Sequence, residues 1–232
     1  MKIYLWLISI GVALALRPAA AGTLLGTVHA EGKPGTDQPG TDEKYGDRKL
    51  KHAERINYAE LRDFVVYLEG KVGDKPNPPA SSVVVDTRRI AQQGATFTPH
   101  VLPIVVGTTV EWPNNDDIYH NVFSMSDARQ FDLQLYKGNP PDKKVTFDKP
   151  GRVDVFCSIH ANMHCIVLVL ENPYFALADG RGRFAITNVP PGTYTVKAWH
   201  ERLPAQAKSI TVPETGEVKV DFALGITNLP KY

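Results

Sequence analysis

Apolar positions along this chain recur at every second residue in short runs, and Gly, Pro, Asn and Asp break the runs at intervals. Alternation over four to eight residues is the mark of a half-buried β-strand. Residues 24–30 and 64–69 read as the first two strands. A series follows at 83–85, 95–101, 105–112, 121–124, 131–136, 145–147, 152–156 and 166–170. Val153 with Val155, and Phe131 with Leu133 and Leu135, alternate clearly. Gly107, Pro113 to Asp117, Gly138 to Pro141 and Pro150-Gly151 supply the turns. A last set reads as strands at 183–186, 193–199, 209–212 and 218–224, with Asp179-Gly180 and Pro190-Pro191-Gly192 as turns. Asn57 to Asp63 predicts one or two helical turns. Many short strands at this spacing predict an all-β sandwich or small barrel. No tandem repeat is visible.

Two stretches stand outside this pattern. Glu31 to Asp63 is rich in Gly, Pro and charged residues and reads as a long solvated loop. Gly70 to Ser82 reads as a Pro/Gly linker or turn region.

The N-terminus follows a different logic. Met1-Lys2 precede an almost wholly apolar run from Ile3 to Leu16, and Ala19-Ala20-Ala21 offer small residues for cleavage. The run is short for a membrane span of about 20 residues. A signal peptide over residues 1–21 is therefore expected, with an uncleaved anchor as the alternative. The expected location is periplasmic or secreted, with no stable membrane insertion after cleavage. An oxidising compartment would permit the two cysteines to pair.

Composition adds exclusions. The chain has 43% hydrophobic and 22% charged residues, an ordinary globular balance. Its net charge of +1 gives no sign of a nucleic-acid partner. Two cysteines make neither a disulfide-dense scaffold nor a four-thiolate zinc site.

The chemistry concentrates in Phe156 to Met163. Cys157, His160 and Met163 stand at Cys-x2-His-x2-Met spacing in a loop between two predicted strands. A thiolate, an imidazole and a thioether suit copper, and a trigonal His2Cys site with a weak axial Met is the blue-copper arrangement. That arrangement needs a second imidazole, and His120 begins a strand after the Pro/Asn/Asp turn. Other readings stay open. A Cys157–Cys165 disulfide would remove the thiolate, His164 could replace Met163 or bind a second ion, and zinc could occupy the same residues. Cys165 reads as a small buried hydrophobe and Met125 as a core residue. His29, His52, His100 and His200 show no ligand spacing and read as surface or packing residues, and Trp199 as core.

Residues 83–171 resemble a cupredoxin (plastocyanin-like) domain. The pieces that carry the resemblance are Val105 to Trp112, Asn114 to Asp116, His120-Asn121, Phe147 to Gly151 and the Cys157/His160/Met163 loop. The short ligand loop looks most like that of amicyanin, and the whole chain is similar to plastocyanin-like methylamine utilization proteins. The resemblance implies one copper ion held by His120, Cys157, His160 and Met163. Asn121 would fasten the loop around the cysteine, and Ile159 and Ala161 would form an apolar electron-exit patch beside His160. Asp179 to Trp199 resembles a carboxypeptidase regulatory-like (transthyretin-like) sandwich. That implies a split second domain, residues 22–70 plus 174–228, with the cupredoxin domain inserted at 83–171. The expected fold is thus a cupredoxin Greek-key sandwich plus a smaller transthyretin-like sandwich.

Four protein ligands leave no open position for a substrate, so the expectation is a one-electron carrier or redox module rather than an enzyme. A redox partner such as a periplasmic cytochrome or dehydrogenase is implied. The alternatives are copper delivery or storage, and a non-catalytic structural or recognition sandwich with a degenerate site.

Overall fold

The computed structural model describes residues 21–32, 57–72 and 88–225. The expected signal peptide up to Ala20, most of the Glu31–Asp63 tract, the 83–85 strand and His52 lie outside the described residues. The strands are, in chain order, β1 (Gly22–Glu31), β2 (Val65–Leu68), β3 (Ala91–Gln92), β4 (Phe97–Thr98), β5 (Val101–Val105) and β6 (Thr108–Glu111). Next come β7 (Phe123–Ser126), β8 (Arg129–Asp132), β9 (Lys144–Phe147), β10 (Gly151–Phe156), β11 (His164–Leu170) and β12 (Phe175–Leu177). The last are β13 (Arg183–Val189), β14 (Gly192–His200), β15 (Leu203–Val212), β16 (Glu217–Lys219) and β17 (Phe222–Gly225). The helical turn expected near Asn57 is a single 3-10 turn, Tyr58–Glu60, whose Ala59 N–H donates to Asn57 Oδ1 at 3.2 Å.

The strands between residues 91 and 170 build one sandwich. Its larger sheet runs β5-β11-β10-β7-β8, and β6-β9 and β3-β4 form the smaller pairs. Trp112, Phe97, Phe147, Val153, Val155 and Val167 meet in its core. β1 pairs with β13, β16 and β17, while β2 pairs with β12 and β14, and β14 with β15. These strands enclose a second core around Leu24, Val66, Ile186, Val196 and Phe222.

A third cluster joins the two. Ile166, Leu168 and Leu170 of β11 pack with Val65, Val101 and Phe175, whereas Cys165, Val167 and Val169 face the first core. β11 is therefore buried on both faces, which explains its unbroken apolar sequence.

Several expected strands are interrupted. The 95–101 run is broken at Pro99, which has no N–H to donate, and Ala95 takes a positive φ of 51°. The 131–136 run stops at Asp132, because Gln134 adopts φ 60° and its N–H turns back to Asp132 Oδ1. The 105–112 run bends at Gly107, whose φ is 88°, so Val105 closes β5 and Thr108 opens β6. The 218–224 run divides into β16 and β17 around Val220 and Asp221.

Candidate metal centre

The loop from Cys157 to Met163 is the connection of the β10–β11 hairpin, whose last pair is Phe156 opposite His164. The Cys157 N–H donates to the Met163 carbonyl at 3.2 Å and the Met163 N–H to the His160 carbonyl at 3.0 Å. These two bonds close the loop on itself and hold its side chains at one end of the sandwich. Cys157 and Met163 are buried in the first core, and His160 is half-buried.

His120 comes from the other side of that end. It precedes β7 and exchanges two backbone hydrogen bonds with Tyr136, His120 N to Tyr136 O at 3.1 Å and Tyr136 N to His120 O at 2.8 Å. β7 meets β10 through Phe123 opposite Phe156 and through the Asp154 N–H, which donates to Ser126 Oγ at 2.9 Å. These contacts set His120 beside the hairpin loop. Its imidazole is fully buried.

The donor atoms converge. His120 Nδ1 and His160 Nδ1 are 2.9 Å apart, and Cys157 Sγ is 3.7 Å from His160 Nδ1. One donor from each of the three residues lies within 4.8 Å of the others. His120 Nε2 is 2.8 Å from Asp116 Oδ2. A carboxylate only accepts, so the proton sits on Nε2 and the Nδ1 lone pair turns toward His160 and Cys157. Two imidazole nitrogens and a sulfur at these separations fit one ion with bonds of about 2.0–2.3 Å, and the mixed soft donor set suits copper.

The surrounding contacts hold this geometry. The Ala95 N–H holds the Asp116 carboxyl below the usual carboxylate range, with help from His120 and the Gly94 N–H. Asn121 Oδ1 accepts from Ser158 N at 2.7 Å and from Ser158 Oγ at 2.9 Å, which ties the hairpin loop to the His120 segment. Such outer contacts fix ring orientation and tune a bound metal. Burial raises the Tyr136 hydroxyl well above its ordinary range, so it stays a neutral donor, bonded to the Trp112 carbonyl.

The neighbours of the loop are settled as follows. Cys157 and Cys165 are both free thiols, which removes the disulfide alternative. Cys165 is fully buried, and burial pushes its thiol well up. His164 Nε2 lies 2.9 Å from Asp154 Oδ1 and its ring stacks on Phe156 at 4.8 Å. Ile159 and Ala161 are exposed beside His160. Met125, expected in the core, is 72% exposed, because β7 turns that side chain outward while Ser124 points in. Trp199 is half-buried against the joining cluster, under the Arg152 guanidinium at 5.9 Å. His200 is buried and packs on Phe64 at 4.8 Å. Asp116 was counted above only among the pieces that carry the resemblance, and its role as the partner of His120 escaped the sequence reading, although an acid four residues before the histidine was its trace.

Residues 84–170 match the family described as copper binding proteins, plastocyanin/azurin family. Residues 170–220 match polysaccharide lyase family 4, domain II. No curated protein matches the chain. Among solved structures, a copper-containing nitrite reductase from Thermus scotoductus is 28% identical with a TM-score of 0.34, over 44% of this chain and 25% of that one. The chain thus spans a quarter of that enzyme's length. A purple cupredoxin from Nitrosopumilus maritimus is 26% identical with a TM-score of 0.30, over 35% of this chain and 97% of its own. A reduced amicyanin variant is 22% identical with a TM-score of 0.32, over 41% of this chain and 94% of its own.

The segment from 84 to 170 is thus similar to the plastocyanin/azurin family, in a chain whose described residues are nearly all β. The cofactor of that family is one copper ion, and the His120/Cys157/His160 cluster is consistent with a type 1 site.

Proposed function

We propose that this protein is a periplasmic or secreted one-electron carrier whose copper is held by His120, Cys157, His160 and Met163. The observation that carries the reading is the convergence of one nitrogen from each of two imidazoles and one thiol sulfur within 4.8 Å of one another, at a loop closed by its own backbone. Copper bound there supplies one-electron chemistry between Cu(I) and Cu(II).

The chain's own residues do the rest. His120 and Cys157 are buried and exclude water. Asp116 keeps the His120 ring in one tautomer and one orientation. Asn121 keeps the loop from moving when the charge at the site changes. A site that does not rearrange between oxidation states exchanges electrons quickly. His160, half-buried and flanked by exposed Ile159 and Ala161, offers the route out to a redox partner. Weak redox encounters use small faces of this kind. Buried donors release a metal slowly, which argues against a delivery protein.

The second sandwich, built from residues 22–70 and 174–228 around the inserted copper domain at 83–171, is proposed as a non-catalytic support. The pairing of β1 with β13, β16 and β17 favours this arrangement.

The test is optical and paramagnetic-resonance spectroscopy of the copper-loaded chain. An intense visible thiolate-to-copper band, bleached by a one-electron reductant and restored by an oxidant, is expected. Cys157→Ser abolishes it. A colourless copper adduct, or a band unaffected by Cys157→Ser, overturns the reading.

A further inference from the structure

A second group of metal-ligating side chains lies where the two sandwiches meet, and it uses none of the donors of the first. His100 stands in the turn between β4 and β5, His164 opens β11, and Glu201 lies in the turn between β14 and β15. One donor atom from each lies within 4.8 Å of the others. His100 Nε2 is 3.0 Å from Glu201 Oε1. The two imidazole rings pack edge-on at 5.5 Å between centroids. All three side chains are partly open to solvent, at 37%, 26% and 22% for His100, His164 and Glu201, so an ion can enter.

The hydrogen-bond chemistry selects what fits there. His100 Nδ1 lies 3.2 Å from the His164 carbonyl oxygen. A carbonyl only accepts, so Nδ1 donates there and Nε2 is left facing the Glu201 carboxylate. An imidazole nitrogen and a carboxylate oxygen 3.0 Å apart are spaced as two ligands of one ion are. An imidazole whose far N–H is bonded to a backbone carbonyl is the usual setting of a metal-bound histidine. His164 is oriented in the same way, by Asp154 at 2.9 Å. Calcium and magnesium take oxygen ligands. Two imidazoles and one carboxylate suit zinc or a similar borderline divalent ion.

We propose that His100, His164 and Glu201 form a second metal site, for a divalent cation of the zinc type, that clamps the copper domain to the flanking sandwich. The contact spans 101 residues of chain between His100 and Glu201. Because Asp154 also binds Arg152, through its Oδ1 and Oδ2 at 2.7 and 2.8 Å, it remains an orienting partner of His164.

The experiment is a zinc titration of the full chain already loaded with copper, read by calorimetry and by metal analysis after dialysis. One zinc per chain beyond the copper is expected. Glu201→Gln and His100→Gln, made separately, each weaken that binding at least tenfold. Zinc raises the melting temperature of the parent and of neither variant. His29→Gln, which alters an exposed histidine–glutamate pair elsewhere, leaves the affinity unchanged. In a Cys157→Ser background the Glu201-dependent zinc binding persists, which separates this site from the copper centre. Absence of a second ion overturns the proposal, and so does zinc binding that ignores both Glu201→Gln and His100→Gln while the variants stay folded by circular dichroism.

Discussion

His120 Nε2 donates to Asp116 Oδ2 at 2.8 Å, and the same carboxylate receives the Gly94 N–H at 2.6 Å and the Ala95 N–H at 2.9 Å. One acid thus joins the β3–β4 turn to a buried imidazole of the metal cluster. Removing it has two consequences. In Asp116→Ala the ring loses its fixed tautomer, and copper affinity falls by about 10–100-fold, the usual effect of deleting a partner of a metal-bound histidine. Competition with a copper chelator measures this. Two turn N–H groups also lose their acceptor, and stability falls by about 1–3 kcal/mol, read from urea denaturation.

Asn121 acts on the other half of the site. Its Oδ1 takes both Ser158 N–H and Ser158 O–H, while its Nδ2 reaches Asp132 at 3.3 Å. Ser158 is exposed, so water replaces part of what Asn121→Ala removes. The change therefore falls more on the copper spectrum and on the rate of copper loss than on the melting temperature. Asn121→Asp keeps the acceptor for Ser158 but sets a second carboxylate against Asp132, so it loosens the loop as well. An unchanged spectrum and an unchanged rate of copper loss in Asn121→Ala would show that the bonds to Ser158 are not what holds the loop.

The two thiols differ in surroundings. Cys165 is fully sealed between Val155 and the first core, and burial pushes its pKa well up. It should resist alkylation of the native chain at pH 8, and the unfolded chain should yield two thiols. Cys165→Ala should keep the visible band of the copper-loaded protein and cost about 1 kcal/mol, near the loss for a single buried heavy atom. Mass spectrometry after timed alkylation and a thermal melt check both points.

The sequence made some of this legible and hid the rest for physical reasons. Cys157, His160 and Met163 share one hairpin loop, so spacing alone brought them together. His120 needed strand context, because the contact of β7 with β10 and the Asn121–Ser158 bonds carry it to the loop. Asp116 was hidden because Asp117 stands beside it, and the choice between them rests on N–H groups of Gly94 and Ala95 more than twenty residues earlier. Asp117 instead pairs with Lys137 at the surface. Alternation found β10, whose two faces differ, and overran β8, where Gln134 leaves the extended region. The His100, His164 and Glu201 group has no spacing to read, since three separate elements assemble it.

Acid stability has a local contributor. Asp179 accepts from Arg183 through Nε at 2.8 Å and from the N–H groups of Arg181 and Arg183, both at 2.9 Å. The Arg183 guanidinium and these N–H groups hold its pKa at about 2, below the ordinary 3.8. A depressed carboxyl stabilises the fold above its unfolded pKa, and that stabilisation fades as pH falls through the folded value. The turn before β13 should therefore weaken between pH 4 and pH 2. Asp179→Asn should flatten the parent's dependence of urea midpoint on pH in that window. Salt should shrink the difference, since the pair is exposed.

The last expectation concerns how the flanking sandwich closes. β1 runs past the Val220 carbonyl with no room between them, and a Cβ at Gly26 would lie 1.8 Å from that oxygen. The obstacle is backbone, so no rotamer change relieves it. β1 is also fixed on both sides: Gly26 is paired with Phe184, and Leu25 O takes the Val220 N–H at 2.9 Å. Gly26→Ala must push β16 and β17 away from β1 or break that bond. The cost is about 3 kcal/mol, the upper part of the usual range for forcing atoms into a packed site. The copper domain has its own core, so the visible band of loaded protein should survive at temperatures where the variant's flanking sandwich has already melted. Parallel melts by far-ultraviolet circular dichroism and by the visible band test this. Coincident transitions at the parent's temperature would show that β1 moves aside at no cost.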